Sequence, residues 1–308
     1  GHLAVLLTLF GSFSALFIIL FFFPFFVFLL PFIYPFVFRV IPFILLGVVV
    51  FLFFSEKKSF LWAVVIFSLS GVLGVVVLNS FVNQPLLPLL TGLFGASNLV
   101  LSVNKGVVVM AQEVVSVKKA FSCRFSFLKS VFASVIAAPF TAFLPGLGAS
   151  QSAVIGSEVV GDLSGFDFLF AIGSINTIVM GLSFITLYSL GYARTGSAVA
   201  VSSLVSSLSL NHLFVILGVI FFSGCLSVFI TVFLSKFFAK NISRFNYKWL
   251  SVGVLCLLFG LVFFISGFLG VVVFLTSAFL GCSCIVVGVR RMHLMGCLIV
   301  PTFLYYVL

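Results

Sequence analysis

The stretch FLPGLGASQSAVIGSEVVGD, residues 143–162, packs a proline, close glycines, hydroxyls, an amide and carboxylates into twenty positions of an otherwise greasy chain. Pro145 has no N–H with which to continue a helix ladder, and Gly146 and Gly148 tolerate backbone angles that other residues avoid. A helix ending near Leu144 therefore stops, and a second helix starts at about Ala149. The first N–H groups of that second helix have no partner inside it. In hydrocarbon each unsatisfied group costs several kcal/mol, so such a break survives only where it lines a cavity, meets water or meets a ligand.

Hydrocarbon is the surrounding that the rest of the chain implies. Apolar residues make up 63% of the 308 positions and charged residues 6%, against roughly 25% charged in a soluble domain. Uncharged runs cover residues 3–38, 40–55, 59–104, 130–151, 195–235 and 249–289. All but 40–55 reach the ~20 residues that cross a bilayer. The runs are continuous, whereas a membrane β-barrel alternates in short segments of about 10. The predicted fold class is all-α, a polytopic transmembrane bundle with a broken or re-entrant helix and the two-repeat architecture of a secondary transporter.

The net charge of +10 falls between apolar runs, so the cations read as cytoplasmic anchors and not as a nucleic-acid surface. The six cysteines are scattered and form no disulfide framework or metal site. Residues 3–23 are too long for a signal peptide and run on into further apolar sequence. His2, His212 and His293 have no ligand-spaced partner, and Gly146–Ser150 is neither a nucleotide loop nor a nucleophile elbow. No catalytic residue and no cofactor is implied.

The expected spans are residues 3–23, 36–54 after a break at Pro24, Pro31 and Pro35, then 60–78, 89–103, 166–190, 212–235, 249–268 and 269–289. A half-helix covers 131–144, and the depth of 195–210 stays open. A weak repeat relates the two halves. Lys57 and Lys105 stand 48 residues apart and Lys240 and Arg290 stand 50 apart, at offsets of 183 and 185. LLTGLFGAS (89–97) echoes FLTSAFLGCS (274–283). This divides the chain into residues 1–104, the remainder of a first repeat; 105–129, a basic cytoplasmic connector, or an amphipathic surface helix through Val108, Ala111 and Val115; and 130–308, a second repeat. At that offset the partner of residues 143–162 falls upstream of Gly1, so the chain reads as N-terminally incomplete. Parallel and inverted copies both stay open.

The candidate site comes from the break. A helix start carries roughly half a positive charge, and Ser150, Gln151 and Ser152 add donors in the first turn. Together with Pro145, Gly146, Gly148 and Ala149 they describe an anion site that needs no arginine. The bare carbonyls of the preceding half-helix suit a cation. Asn176 and Thr177, in FDFLFAIGSINTIVMGLSFITLYSL (166–190), line the site from a neighbouring span. Glu158 and Ser174 are the cation-coupling candidates; Glu158 has the competing reading of a carboxylate surfacing at the interface. For the glycines the plainer reading is a packing kink.

The same opening stretch, with FAIGSINTIVMGLSFITLYSLGYARTGSAVAV and the ending GVRRMHLMGCLIVPTFLYYVL, resembles the tripartite tricarboxylate transporter permease family, nearest its shorter archaeal-like branch of large membrane subunits. The family's first-half motif, Gly-x-x-Pro-Gly-x-His-Pro-Asn, is absent. The resemblance implies cation-coupled secondary transport of small organic di- and tricarboxylates across the cytoplasmic membrane, with Na⁺ and H⁺ not distinguished. It also implies a multi-pass cell-membrane protein, with a small membrane subunit and an extracytoplasmic binding protein as possible partners. A non-transporting membrane scaffold is the alternative. The Lys/Arg rule predicts that the loops carrying Lys118 and Lys240 both face the cytoplasm. Single cysteines in the two loops should react with an impermeant thiol reagent from that side alone, and labelling from opposite sides would refute the shared sidedness.

Overall fold

A computed structural model gives the fold. It describes residues 1–54, 56, 59–104, 112–116, 126–143, 148–161, 163–193, 195–205, 208–242 and 246–307. Among these residues all regular structure is helical. The order is α1 (His2–Phe54), α2 (Phe60–Leu78), α3 (Leu86–Leu90), a π-helical turn (Thr91–Ala96), α4 (Ser97–Asn104), α5 (Phe127–Phe143), α6 (Ala149–Val160), α7 (Gly165–Leu190), α8 (Gly196–Leu204), α9 (Leu210–Asn241), α10 (Tyr247–Val287), a 3-10 turn (Arg291–Met295) and α11 (Gly296–Val307). Six helical segments are long and apolar enough to cross a membrane: His2–Phe32, Phe60–Leu78, Leu86–Asn104, Gly165–Leu190, Leu210–Asn241 and Tyr247–Val287. The basic connector lies mostly outside the described residues. α8 has 9 residues, about 14 Å of helix, too short to span.

Two expected interruptions turn out differently. The break at Pro24, Pro31 and Pro35 does not occur, and α1 runs through all three. The prolines stand seven and four residues apart, so they share one face, and each is exposed. A proline removes one N–H and presses on the carbonyl four residues back; in a bundle within a membrane the helix tolerates that loss. The second interruption is sharper than the sequence suggests. α10 has 41 residues, but Gly267 sits at φ 69°, ψ −166°, a conformation that glycine adopts without strain. Beyond it the chain doubles back. The Phe259 and Phe274 rings lie 6.5 Å apart, although fifteen residues of straight helix would separate them by about 22 Å. Val262, Val271 and Phe274 form one buried cluster with Leu255 and Ala278 packed on it. The two expected spans are thus the arms of an antiparallel hairpin with a one-residue turn.

The chain divides into two compact units, Gly1–Arg39 with Ala111–Ile242 and Val40–Met110 with Ser243–Leu308. Each is assembled from two separated stretches, so the units do not follow the sequential halves. In the first unit α1 crosses α7 at glycine. A Cβ on Gly11 would fall 2.0 Å from the Phe170 carbonyl oxygen, and one on Gly173 the same distance from that of Thr8. The crossing is reciprocal: Ser12 Oγ donates to the Gly173 carbonyl at 3.1 Å and Ser174 Oγ to the Gly11 carbonyl at 2.9 Å. Around it Ala15, Ile19, Ile175, Ile178 and Leu182 are buried with alanines of α5.

The second unit repeats the device. Gly92 packs on the Phe274 carbonyl and Ser277, and Gly281 on the Leu93 carbonyl and Ser97. Cys282 Sγ reaches the Ser97 carbonyl at 3.7 Å. These are the echoing stretches 89–97 and 274–283, lying side by side and running the same way. In both units small residues let backbones touch, which is how helices associate when lipid is as apolar as their side chains.

The crossings predict which glycines tolerate a side chain. Gly173→Val should cost about 1–3 kcal/mol or more, since the Thr8 backbone has to move. Gly253→Ala, with nothing within 4 Å, should be neutral or slightly stabilising. Thermal unfolding of the two variants in detergent tests this, and equal midpoints would contradict the packing.

Candidate functional site: the hairpin of α5 and α6

α5 and α6 form a second, shorter antiparallel hairpin. Gly156 on α6 faces Ala133 and Ala137 on α5, and a Cβ there would lie 2.7 Å from the Ala133 carbonyl oxygen. Nearer the tip, Thr141 Oγ1 donates to Ser152 Oγ at 2.5 Å, with both residues buried. The contacting positions 133, 137 and 141 on one arm and 152 and 156 on the other are spaced by four, one stripe per helix. α6 has 12 residues, about 18 Å of helix against a hydrocarbon core of about 30 Å. α5 has 17 residues and carries Pro139 inside it. The hairpin packs along α7.

The tip holds the predicted break. α5 is described to Phe143 and α6 begins at Ala149 after the non-helical Gly148. Pro145 and Gly146 themselves lie outside the described residues. Gly148, extended at φ −93°, ψ 170°, is the N-cap of α6. Its N–H donates to Gln151 Oε1 at 2.9 Å, and Ser150 Oγ donates to the same oxygen at 3.3 Å. Glycine has no side chain with which to return a bond. The next four helices differ: Ser164, Thr195, Ser209 and Asn246 each accept a first-turn N–H with a side-chain oxygen. In α6 the first-turn N–H groups of Ala149, Ser150 and Gln151 have neither a side-chain cap nor an intrahelical acceptor among the described residues. Ser150 is exposed, Ala149 and Gln151 half-buried and Ser152 buried.

The remaining predicted residues are distributed unevenly. Ser174 is fully buried and its hydroxyl is committed to the Gly11 carbonyl. Thr177 Oγ1 bonds back to the Gly173 carbonyl at 3.3 Å. Asn176 is exposed on α7 and makes no described hydrogen bond to the tip. Glu158 is exposed in the last turn of α6, about 10 Å along the helix from Gln151, with no ion pair among the described residues. The geometry brings Gly148, Ala149, Ser150, Gln151 and Ser152 together and sets Glu158 apart from them.

Asp167 is a buried acid, although its place in the sequence suggests only an interface residue. Its Oδ1 accepts from Ser126 N at 2.7 Å and Ser130 Oγ at 3.1 Å; its Oδ2 accepts from Ser164 N at 3.1 Å and Ser164 Oγ at 2.6 Å. One carboxylate thus ties the base of the hairpin to the start of α7. The signal for it is present in the residues: Ser164-x-x-Asp167 is a capping box before an apolar run.

The apolar helices, the interrupted hairpin and the glycine crossings define a multi-pass α-helical protein of the cell membrane. The chain belongs to the tripartite tricarboxylate transporter TctA family, whose sequence profile matches residues 1–296. That is a transporter family and not an enzyme family. The chain is also 28% identical, over 274 residues, to an uncharacterized protein of Methanocaldococcus jannaschii. The match takes in 86% of this chain and spans 66% of that protein's length. No solved structure matches.

The two acids should respond differently to removal. Asp167→Ala strands buried donors, each costing about 1–3 kcal/mol, whereas Glu158→Ala alters an exposed position and should stay within about 0.5 kcal/mol. Thermal midpoints in detergent separate them; an Asp167→Ala protein as stable as Glu158→Ala would remove the clasp from the account.

Proposed function

We propose that the chain forms part of a cation-coupled secondary transporter of small organic di- and tricarboxylates, and that the start of α6 binds the substrate carboxylate. One observation carries this reading. α6 begins at a glycine that cannot cap it, while the next four helices all use a side-chain cap. A carboxylate is a fitting acceptor for such a start, because N–H groups and helix dipole both favour an anion. The 12-residue length of α6 supports a re-entrant hairpin that enters the membrane and leaves on the same side.

In this reading Gly148 keeps the start of α6 uncapped, and Pro145 and Gly146, outside the described residues, remain candidate substrate-site residues. Ala149, Ser150 and Gln151 supply N–H groups, with the Ser150 hydroxyl as a further donor. Ser152, bonded to Thr141, fixes the two arms. Gln151 positions the start by holding Gly148 N–H. Asn176 and Thr177 approach from α7. Carbonyls at the end of α5 are the candidate cation ligands, with Na⁺ or H⁺ as coupling ion. Ser174 acts through the α1 crossing, and Glu158 lies too far along α6 to share the tip. A small membrane subunit and an extracytoplasmic binding protein are the partners that the family's tripartite assembly suggests.

Uptake of labelled citrate and of a dicarboxylate by the full-length protein tests the assignment. Gln151→Ala and Gly148→Val should each reduce uptake at least about tenfold, the worth of one charge-assisted hydrogen bond of roughly 1.5 kcal/mol. Wild-type uptake in both variants would end the site assignment.

A further inference from the structure

The second unit contains a buried titratable cluster that the carboxylate site does not use. Glu56, just past α1, is 8% exposed and His293, in the 3-10 turn, is 1% exposed. Three groups converge on one oxygen, Glu56 Oε2: the Arg290 backbone N–H at 3.4 Å, Arg290 Nε at 3.8 Å and His293 Nε2 at 3.7 Å. The imidazole stacks on Phe53, with centroids 5.7 Å apart and planes at 16°. Ser70 Oγ of α2 holds the His293 carbonyl at 3.2 Å. His293 Nδ1 is buried with no hydrogen-bond partner among the described residues.

That last atom decides which charge state fits. A neutral imidazole with its proton on Nε2 points the proton toward Glu56 and leaves Nδ1 as a bare lone pair. A protonated imidazole carries a proton on Nδ1 too, where no acceptor stands among the described residues, in an apolar stack and beside the Arg290 guanidinium. We propose that Glu56, Arg290 and His293 form a pH-sensitive clasp between the α1–α2 turn and the α10–α11 turn, closed while His293 is neutral and opened when it takes up a proton. The proposal is independent of the carboxylate site.

The other groups around the imidazole do not replace His293 as the switch. Arg290 and Arg291 are the neighbouring cations. The Cys284 thiol is engaged with the Val289 carbonyl at 3.3 Å. α2 contributes Phe67 and Ser70 and no charged side chain among the described residues, and Lys57 and Lys58 lie outside those residues. Burial holds the His293 pKa below its ordinary value, with Glu56 pulling it up and Arg290 pushing it down. The clasp's contribution is therefore complete above the unfolded histidine pKa of about 6.5 and is lost as the pH falls through the lower folded value. By the Lys/Arg rule these turns face the cytoplasm, so the clasp senses cytoplasmic acidification.

Hydrogen exchange of the full chain in lipid nanodiscs, corrected for intrinsic rates, reads the clasp at the Arg290 amide. Between pH 7.5 and 5.5 protection there should fall about tenfold or more, a population shift of ~1.4 kcal/mol, with a midpoint below about 6.5. His293→Gln, which cannot take the proton, should show no such fall. Unchanged wild-type protection over this range overturns the proposal, as does the same fall in His293→Gln. If that variant does not fold, the wild-type profile still decides: protection that holds from pH 7.5 to 5.5 and is lost only on further acidification refutes the role of His293.

Discussion

A backbone amide in hydrocarbon has to find a partner, and the architecture of this chain reflects how each segment meets that demand. Most of the chain meets it inside long helices. At four helix starts a side-chain oxygen takes over: Ser164 and Asp167 exchange bonds at the start of α7, and Thr195, Ser209 and Asn246 cap α8, α9 and α10, whereas Ser59 before α2 makes no such bond. Gly267 turns α10 back on itself with one residue and no polar loop. The start of α6 is handled differently. Gly148 offers no side chain, and Gln151 Oε1 is taken up by the Gly148 N–H and the Ser150 hydroxyl.

The same demand explains the packing. Helices already saturated along their own axes associate through close contact and a few serine-to-carbonyl bonds. Gly11 with Ser12 against Gly173 with Ser174, and Gly92 with Ser97 against Gly281, are two instances of one arrangement. In each, the two helices run the same way.

Much of this was legible in the residues. Long uncharged runs identified the membrane spans, and the break between α5 and α6 was expected from Pro145, Gly146 and Gly148. Other features were hidden for physical reasons. Proline spacing of seven and four along α1 marks one helical face, but reading each proline as a breaker concealed it. The echo of LFGSFSALF (9–17) in AIGSINTIV (171–179) lies at an offset of 162, not 185, so a search at one offset passes over it. Ser174 resembled a ligand because its partner, the Gly11 carbonyl, is a backbone atom that sequence spacing does not reveal. Helical periodicity placed Glu158 and Gln151 on one face; the step of seven residues from one to the other sets the carboxylate well below the tip.

The account rests on N–H groups at the start of α6 that stay available to an aqueous anion. Cysteine accessibility probes this directly. Ala149→Cys and Ser150→Cys, each in a background with the native cysteines replaced and the full-length protein in membranes, should react with a water-soluble thiol reagent and be protected by a transported carboxylate. Cysteines at both positions that never react, or that react equally with and without carboxylate, would show that the start of α6 is sealed by protein or lipid and binds no acid.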